Sequence, residues 1–320
     1  MRGALRRHQR QQHPIPHHHQ RQHRVRRRVD PVARAPLGGR TWALEVPATL
    51  QPPPRPERRA VTGEPLRLPT VQTLSAPLDF TSPGLALTFR ASHGTPGAWM
   101  YVGRDRGRQW SGPYQIPAFD TPGLDPRTDH LVVGPRELLV FITALKTNGR
   151  EGRPLTLRTR DGGLTWERLG WIGPESDGYR IMPSTVSLGG GHLYTAIRRN
   201  DGTQHHVEGY RSRDAGLTWT SAGIVVADTG RGNPASLLRL ATGGLCCVYG
   251  LRAAPFSICV VTSDDAGVTW SSPRTLREGA ADWDLGYPRS VIRPDGRIVS
   301  VYYFNDQSGP ERYIAATVWR

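Results

Sequence analysis

The sequence predicts an all-β fold assembled as a radial or stacked array of similar units, and three observations lead there. An eight-residue motif recurs. Thr159-Arg160-Asp161-Gly162-Gly163-Leu164-Thr165-Trp166, Ser212-Arg213-Asp214-Ala215-Gly216-Leu217-Thr218-Trp219 and Ser263-Asp264-Asp265-Ala266-Gly267-Val268-Thr269-Trp270 agree at every key position. A fourth copy, Gly103-Arg104-Asp105-Arg106-Gly107-Arg108-Gln109-Trp110, keeps the Asp, the Gly and the Trp. The four Asp residues are 56, 53 and 51 residues apart, a period typical of repeat architectures. Finally, no segment sustains a helical period, and 28 Pro with 36 Gly in 320 residues disfavour a helical protein.

Each motif reads as a hairpin turn. The Asp accepts hydrogen bonds from the next few backbone amides, the Gly takes φ > 0 at little steric cost, and the Trp is a large apolar anchor. None of these roles is catalytic.

Taken in order, residues 1 to about 36 are Arg, His and Gln with few hydrophobics, a composition that cannot offset the entropy of ordering. They are expected to be disordered. Gly38-Gly39-Arg40-Thr41-Trp42 is the tail of another copy of the motif, with Leu37 where the Asp belongs. The expectation is that residues 1 to 37 are not native to the fold and that the tail ends a truncated first unit. The Pro-rich stretch 51 to 69 is expected to be extended, and regular units begin near 79. Each unit opens on a Pro near a strand start: Pro83, Pro126, Pro183, Pro234 and Pro288. Hairpins follow, such as Leu237 to Leu240 with Leu245 to Tyr249, and the strands near 289 to 293, 297 to 304 and 312 to 319. The last unit has no motif of its own, so a segment near 41 to 50 or 67 to 74 is expected to pair with it and close the array.

The net charge of +15 does not argue for nucleic acid, because fourteen Arg and three acidic residues fall in residues 1 to 59, leaving +4 for the remainder. The three cysteines, Cys246, Cys247 and Cys259, lack metal-ligand spacing and read as buried free thiols. No cofactor or metal is expected. No apolar run is long enough to span a membrane, and no signal-peptide core follows the basic start, so a cytoplasmic location is the default expectation. One folded domain, 38 to 320, is expected.

The motif Ser/Thr-x-Asp-x-Gly-x-Thr-Trp resembles the Asp box of the sialidase superfamily. Asp282 to Trp319, with Gly286-Tyr287-Pro288-Arg289-Ser290 inside it, resembles the closing blade of bacterial sialidase-like and exo-α-sialidase proteins. The resemblance covers roughly residues 79 to 320. It implies a six-bladed β-propeller with about five blades intact, and Asp boxes on outer hairpins away from the site. In such a fold polar residues at the strand ends converge on a central funnel.

The resemblance also implies exo-acting hydrolysis of terminal acidic, sialic-acid-type sugars, with a carbohydrate as partner and no specific nucleic acid. That chemistry uses a Tyr nucleophile made basic by a carboxylate, an Asp acid/base, and arginines whose planar forks grip the sugar carboxylate. Tyr287 is the expected nucleophile, with Asp284 ahead of Asp282 as its carboxylate partner and Asp129 as acid/base. Arg127, Arg198 and Arg252 form the expected clamp, and Asn233, Tyr249 and Arg289 complete the binding set. Two departures keep a non-catalytic glycan-binding propeller and a glycosidase of other sugar specificity open. Ala235 stands where the family has a Glu, and the first-blade Phe/Tyr-Arg-Ile-Pro segment is missing, its only likeness being Tyr179-Arg180-Ile181-Met182-Pro183 in a later blade.

Overall fold

The computed structural model describes residues 40–43, 70–91, 97–149, 151–306 and 312–320, and it is all-β. Among these residues nineteen strands form five sheets. The first blade is β2 (Ala86–Ala91), β3 (Ala98–Gly103) and β4 (Ser111–Ile116). The second is β5 (Leu124–Val132), β6 (Leu138–Leu145), β7 (Glu151–Thr159) and β8 (Glu167–Trp171). The third is β9 (Tyr179–Gly189), β10 (His192–Asn200), β11 (His205–Ser212) and β12 (Thr220–Val226). The fourth is β13 (Ser236–Arg239), β14 (Leu245–Leu251), β15 (Ser257–Ser263) and β16 (Arg274–Arg277). The fifth is β17 (Gly286–Ile292), β18 (Ile298–Phe304) and β19 (Tyr313–Trp319), with β1 (Arg40–Ala43) on its outer edge. All strand pairs are antiparallel, and consecutive strands form a meander within each blade, to which β1 is added from far along the chain. This is a β-propeller with five blades among the described residues, the number expected to be intact.

The second, third and fourth blades each face a neighbour on both sides, so a strand such as β6 is apolar throughout instead of alternating. Leu138–Leu145 reads Leu-Leu-Val-Phe-Ile-Thr-Ala-Leu and is buried almost to its end. Its odd and even residues serve different interfaces. Leu138, Val140 and Ile142 pack toward the first blade, while Leu139 and Phe141 pack toward the third. In β14 the same alternation sends Cys247 and Tyr249 to the third blade and Cys246 and Val248 to the fifth. Adjacent cysteines on opposite faces cannot pair, and all three are buried free thiols. Each such large side chain stabilises its interface by about 1.5–3 kcal/mol on burial. Four apolar clusters thus join the five blades in sequence, and no cluster among the described residues joins the fifth to the first.

The recurring motifs sit on the outer hairpins, as expected. In three of them the Ser or Thr hydroxyl donates to the Asp and accepts from the Gly amide, as in Ser212 to Asp214 (2.8 Å) and Gly216 to Ser212 (2.8 Å). Thr218 closes the turn through both its amide (2.9 Å) and its hydroxyl (2.5 Å) onto Asp214. The Trp then reaches back to the preceding blade. Trp219 meets Phe141 edge-on at 6.1 Å and donates to Thr156 at 3.0 Å, and Trp270 packs on Tyr194 at 6.1 Å.

The motif tail ahead of Ala43 belongs to the fifth blade, which corrects its assignment to a truncated first unit. β1 pairs with β19 from Arg40↔Val318 to Ala43↔Ala315, the place that β4, β8, β12 and β16 occupy in the other blades. Of the other candidate, 67 to 74, the described residues from 70 onward lie on the first blade: Gln72 bridges Tyr114 in parallel, and its amide donates to Pro113 at 2.8 Å. Residues 1–39 and 44–69, with the expectations placed on them, lie outside the described residues.

The turn carboxylates set an acid limit. The Thr269 hydroxyl first, then its amide and the Ser263 hydroxyl, hold the Asp265 carboxyl well below the usual carboxylate range. A depressed folded pKa gives stability that is present above the unfolded value and lost as pH falls through the folded one. The expected outcome is a wild-type unfolding midpoint that drops as pH falls below about 4. A variant with Asp161, Asp214 and Asp265 all changed to Asn should start lower at neutral pH and fall less steeply. Parallel thermal melts across that range check it.

Candidate active site

The innermost strands β2, β5, β9, β13 and β17 surround a cavity of about 510 Å³, lined by residues of all five blades. A regular strand sends alternate residues to opposite faces, and three of these strands break that rule at a proline. The register shifts between Asp125 and Asp129, opposite Ala196–Arg198 in β9, and between Gly286 and Arg289. Pro126, Met182 with Pro183, and Tyr287 with Pro288 lie at these bulges. Bulges re-aim side chains, and Pro126, Met182 and Tyr287 all line the cavity.

Two of the re-aimed residues have left-handed backbones. Met182 has φ 56° and Tyr287 φ 51°, a conformation costly for bulky side chains and found at functional sites. Asn233 holds Tyr287 in it. The Asn233 side chain accepts from the Tyr287 amide (3.2 Å) and the Gly250 amide (3.2 Å) and donates to the Leu285 carbonyl (3.0 Å). It is 0% exposed, so it is a staple between the fourth and fifth blades and not the sugar contact expected from sequence. A Cβ on Gly286 would come within 2.3 Å of the Asn233 amide nitrogen, which is why Gly precedes the Tyr.

Tyr287 is 42% exposed. Its hydroxyl makes no hydrogen bond to the described residues, and the Arg252 guanidinium lies 5.5 Å from its ring centre. The expected Asp284 partnership is corrected. Asp284 Oδ1 accepts from the Tyr303 hydroxyl at 2.6 Å, and Oδ2 accepts from Arg312 Nε at 3.1 Å. Tyr303 in turn accepts from Arg252 Nη2 and stacks 5.9 Å from the Tyr287 ring. Burial first, then the hydrogen bond to Asp284, pushes the Tyr303 hydroxyl well above the ordinary phenol range. Asp282 is tied to Arg312 at 2.7 Å. The carboxylates therefore buttress Tyr303, which supports Tyr287 from behind.

Asp129 lines the cavity with both oxygens engaged, Oδ1 by the His130 amide (2.9 Å) and Oδ2 by the Thr185 amide of the next blade (2.7 Å). Ser184 and Ser236 make the same blade-to-blade contact, accepting from Leu237 (3.0 Å) and Ser290 (2.9 Å). In β17 the corresponding position, just ahead of the donating amide, is Arg289, which projects into the cavity. His130 also lines it, a residue sequence reasoning missed because strand alternation would turn it away from Asp129's face. Desolvation lowers the His130 pKa, Asp129 opposes that, and Arg289 adds to the lowering.

Arg252 is buried, donating to the Leu285 carbonyl (2.9 Å), the Gly232 carbonyl (3.1 Å) and Tyr303, with Asp284 at 3.8 Å. Arg198 is buried behind Met182. It donates to the Tyr179 hydroxyl at 3.0 Å, its Nε has no partner, and it forms no ion pair among the described residues. A Cβ on Gly232 would fall 2.9 Å from Arg198 Nη2, so the glycine makes room for that guanidinium. Arg127 lies in β5, and its side chain is outside the described residues. Tyr249 is a correction: at 1% exposure it packs in the core between the third and fourth blades, where burial raises its pKa. The structure thus brings Tyr287, Arg289 and Asp129 to one cavity, with Arg252 behind them, and takes Asn233 and Tyr249 into the interior.

The family model for the BNR repeat-like domain matches residues 78–300. None of the curated proteins matches the chain in sequence. Among solved structures it is similar to a protein of unknown function from Dyadobacter fermentans DSM 18053, with a TM-score of 0.60, 21% identity, and 92% of this chain and 86% of that one covered. It is also similar to the NanB sialidase of Streptococcus pneumoniae (TM-score 0.51, 17% identity), over 69% of this chain and 35% of the sialidase. An α-L-arabinanase from Penicillium chrysogenum, complexed with arabinobiose, gives a TM-score of 0.51 at 15% identity over 74% and 79% of the two chains. At these identities the likeness is one of fold.

Proposed function

As the chain belongs to the BNR repeat-like domain family, we propose that it is an exo-acting glycoside hydrolase that takes a terminal acidic, sialic-acid-type sugar into the central cavity. The observation that carries this reading is Tyr287, a bulky residue held at φ 51° with an unengaged hydroxyl in a cavity rimmed by Arg289 and backed by Arg252. Strain of that kind is retained where a side chain must be presented. The buried Arg198, without a carboxylate partner among the described residues, adds a cation that an anionic ligand would compensate.

In the proposed reaction the Tyr287 oxygen attacks the anomeric carbon while the His130 imidazole takes its proton. The imidazolium passes that proton to the departing alcohol oxygen, and the Asp129 charge favours the protonated ring. Water then reverses the proton path, its oxygen displacing Tyr287, which regains its hydrogen. Arg289 meets the sugar carboxylate, because a guanidinium keeps its charge and matches a carboxylate fork.

A panel of methylumbelliferyl glycosides tests the reading. Release from an α-linked acidic sugar is expected, with none from neutral hexosides or arabinofuranosides. Since the His130 pKa lies below its ordinary value, the rate should hold at neutral pH and fall on the acid side, below about 6.5. Turnover of arabinofuranosides alone would overturn the acidic-sugar assignment. One observation favours a second reading, a propeller that binds acidic glycans without cleaving them: no carboxylate pairs with the Tyr287 hydroxyl among the described residues. Affinity for the acidic sugar with no release would select it.

A further inference from the structure

A second cavity, of about 500 Å³, opens between the second and third blades and shares no lining residue with the central one. Arg153 and Trp171 line it from the second blade, and Arg180, Glu208, Tyr210 and Ile224 from the third. The charges on its wall do not cancel, since two guanidinium groups face one carboxylate.

That carboxylate is fully engaged. Glu208 accepts from Arg180 (2.8 Å) and Tyr210 (2.8 Å), and Arg199 and His206 each lie 3.3 Å away. Arg180 is likewise committed, to Glu208, the Pro174 carbonyl (3.0 Å) and the Ser176 hydroxyl (2.5 Å). Arg153 is different. Its Nε donates to the Gly173 carbonyl at 2.9 Å, but neither Nη has a hydrogen-bond partner among the described residues, and the Glu175 carboxylate acts on it only through its charge. Its guanidinium lies 4.5 Å from the Trp171 ring centre, and Arg168 lies 5.7 Å from the same centre, so the indole and the Gly173 carbonyl together hold the Arg153 group in place. Two fixed Nη groups in one plane match the two oxygens of a carboxylate or sulfate. Of the remaining wall, Trp219 and the half-exposed Ile224 offer apolar surface for sugar C–H groups, Ser221 adds a hydroxyl, and Gly223 adds no side chain.

We propose that this cavity is a second binding site, for the carboxylate or sulfate of an acidic saccharide, with Arg153 as its anchor. The site does not depend on turnover in the central cavity. It would hold a glycan by a group other than the one being cleaved, raising the local concentration of further termini.

Hydrogen exchange of the full chain tests this with three probes: a glucuronate-terminated disaccharide, a sulfated neutral disaccharide and the unmodified neutral disaccharide. One or both anionic probes should protect residues 171–174 and 221–224, and the neutral one should not; which of the two does so distinguishes carboxylate from sulfate. Arg153→Gln should weaken that binding by about tenfold or more. Ile224→Glu, a change at a half-exposed position that leaves the interior intact, should do the same by placing a negative charge at the mouth. Absence of protection with either anion, equal protection by the neutral sugar, or unchanged binding in both variants overturns the proposal. Hydrolysis is not read, so the result is separate from that of the central site.

Discussion

Replacing Tyr287 by phenylalanine is expected to lower turnover of an acidic glycoside by at least about 10³-fold, the scale on which losing a nucleophile acts. The fold should not notice. The Tyr287 hydroxyl makes no hydrogen bond to the described residues, and the ring contacts with Tyr303 and Arg252 survive the change. KM and melting temperature should therefore stay near wild type while kcat collapses. Tyr303→Phe is the contrast. It removes a hydroxyl held between Asp284 and Arg252, so it should cost about 1–3 kcal/mol of stability and loosen the support behind Tyr287. If Tyr287→Phe keeps full kcat while Tyr303→Phe loses it, the nucleophile has been assigned to the wrong tyrosine.

Glu208→Ala is expected to destabilise the protein by about 3–5 kcal/mol, the cost of leaving buried charge without its partner. Glu208 is the carboxylate that ion-pairs with both buried Arg180 and Arg199, with side-chain exposures of 14%, 9% and 7%. Burial by itself would push its carboxyl up. Hydrogen bonds from Arg180 and Tyr210 and the Arg180 charge outweigh that and hold it below the ordinary carboxylate range. The Tyr210 hydroxyl moves the other way, raised to about 12 by burial and then by Glu208. Because the folded Glu208 pKa is depressed, its contribution is present above the unfolded value, about 4.3, and is lost as pH falls through the folded one. Urea unfolding at neutral pH should show the full loss for Glu208→Ala and a smaller one for Glu208→Gln, which keeps a side-chain acceptor. A loss under about 1 kcal/mol for the alanine variant would mean that the surrounding guanidinium groups are solvated.

The architecture was legible because its signals are local and repeated. The Asp-Gly-Trp turn carries its own hydrogen bonds, so four copies mark four outer hairpins wherever the blades lie. The Pro-led strand starts were equally plain, and Pro126, Pro183 and Pro288 mark the bulges that shape the cavity. What the sequence hid depends on partners distant along the chain. Two stretches, 41 to 50 and 67 to 74, could be named as partners for the last blade, but only the register of Arg40–Ala43 on β19 shows which blade the motif tail completes.

Site roles failed for a related reason. Asn233 looks like a polar group at a strand entry, yet three backbone groups from two blades consume it. Tyr249 and Arg252 are three residues apart at one strand end, and only packing shows that the first faces the core between blades. Asp284 lies close to Tyr287 in sequence, but β18 brings Tyr303 between them, with Gly286 opposite Tyr303 in the register. His130 was missed because alternation sets it on the opposite face from Asp129, and the register is regular at both; it reaches the cavity beside Phe89 of the first blade, whose ring centre lies 6.4 Å away.

The central claim is that the Tyr287 oxygen bonds to the sugar, and covalent trapping addresses it most directly. A fluorinated acidic glycosyl donor that forms a glycosyl–enzyme bond but hydrolyses it slowly is incubated with the protein, which is then digested and mapped by mass spectrometry. The account predicts a single sugar on the peptide containing Tyr287, with fragment ions placing it on that side chain. An adduct on Tyr303, or release of the leaving group with no adduct on any peptide, would contradict it.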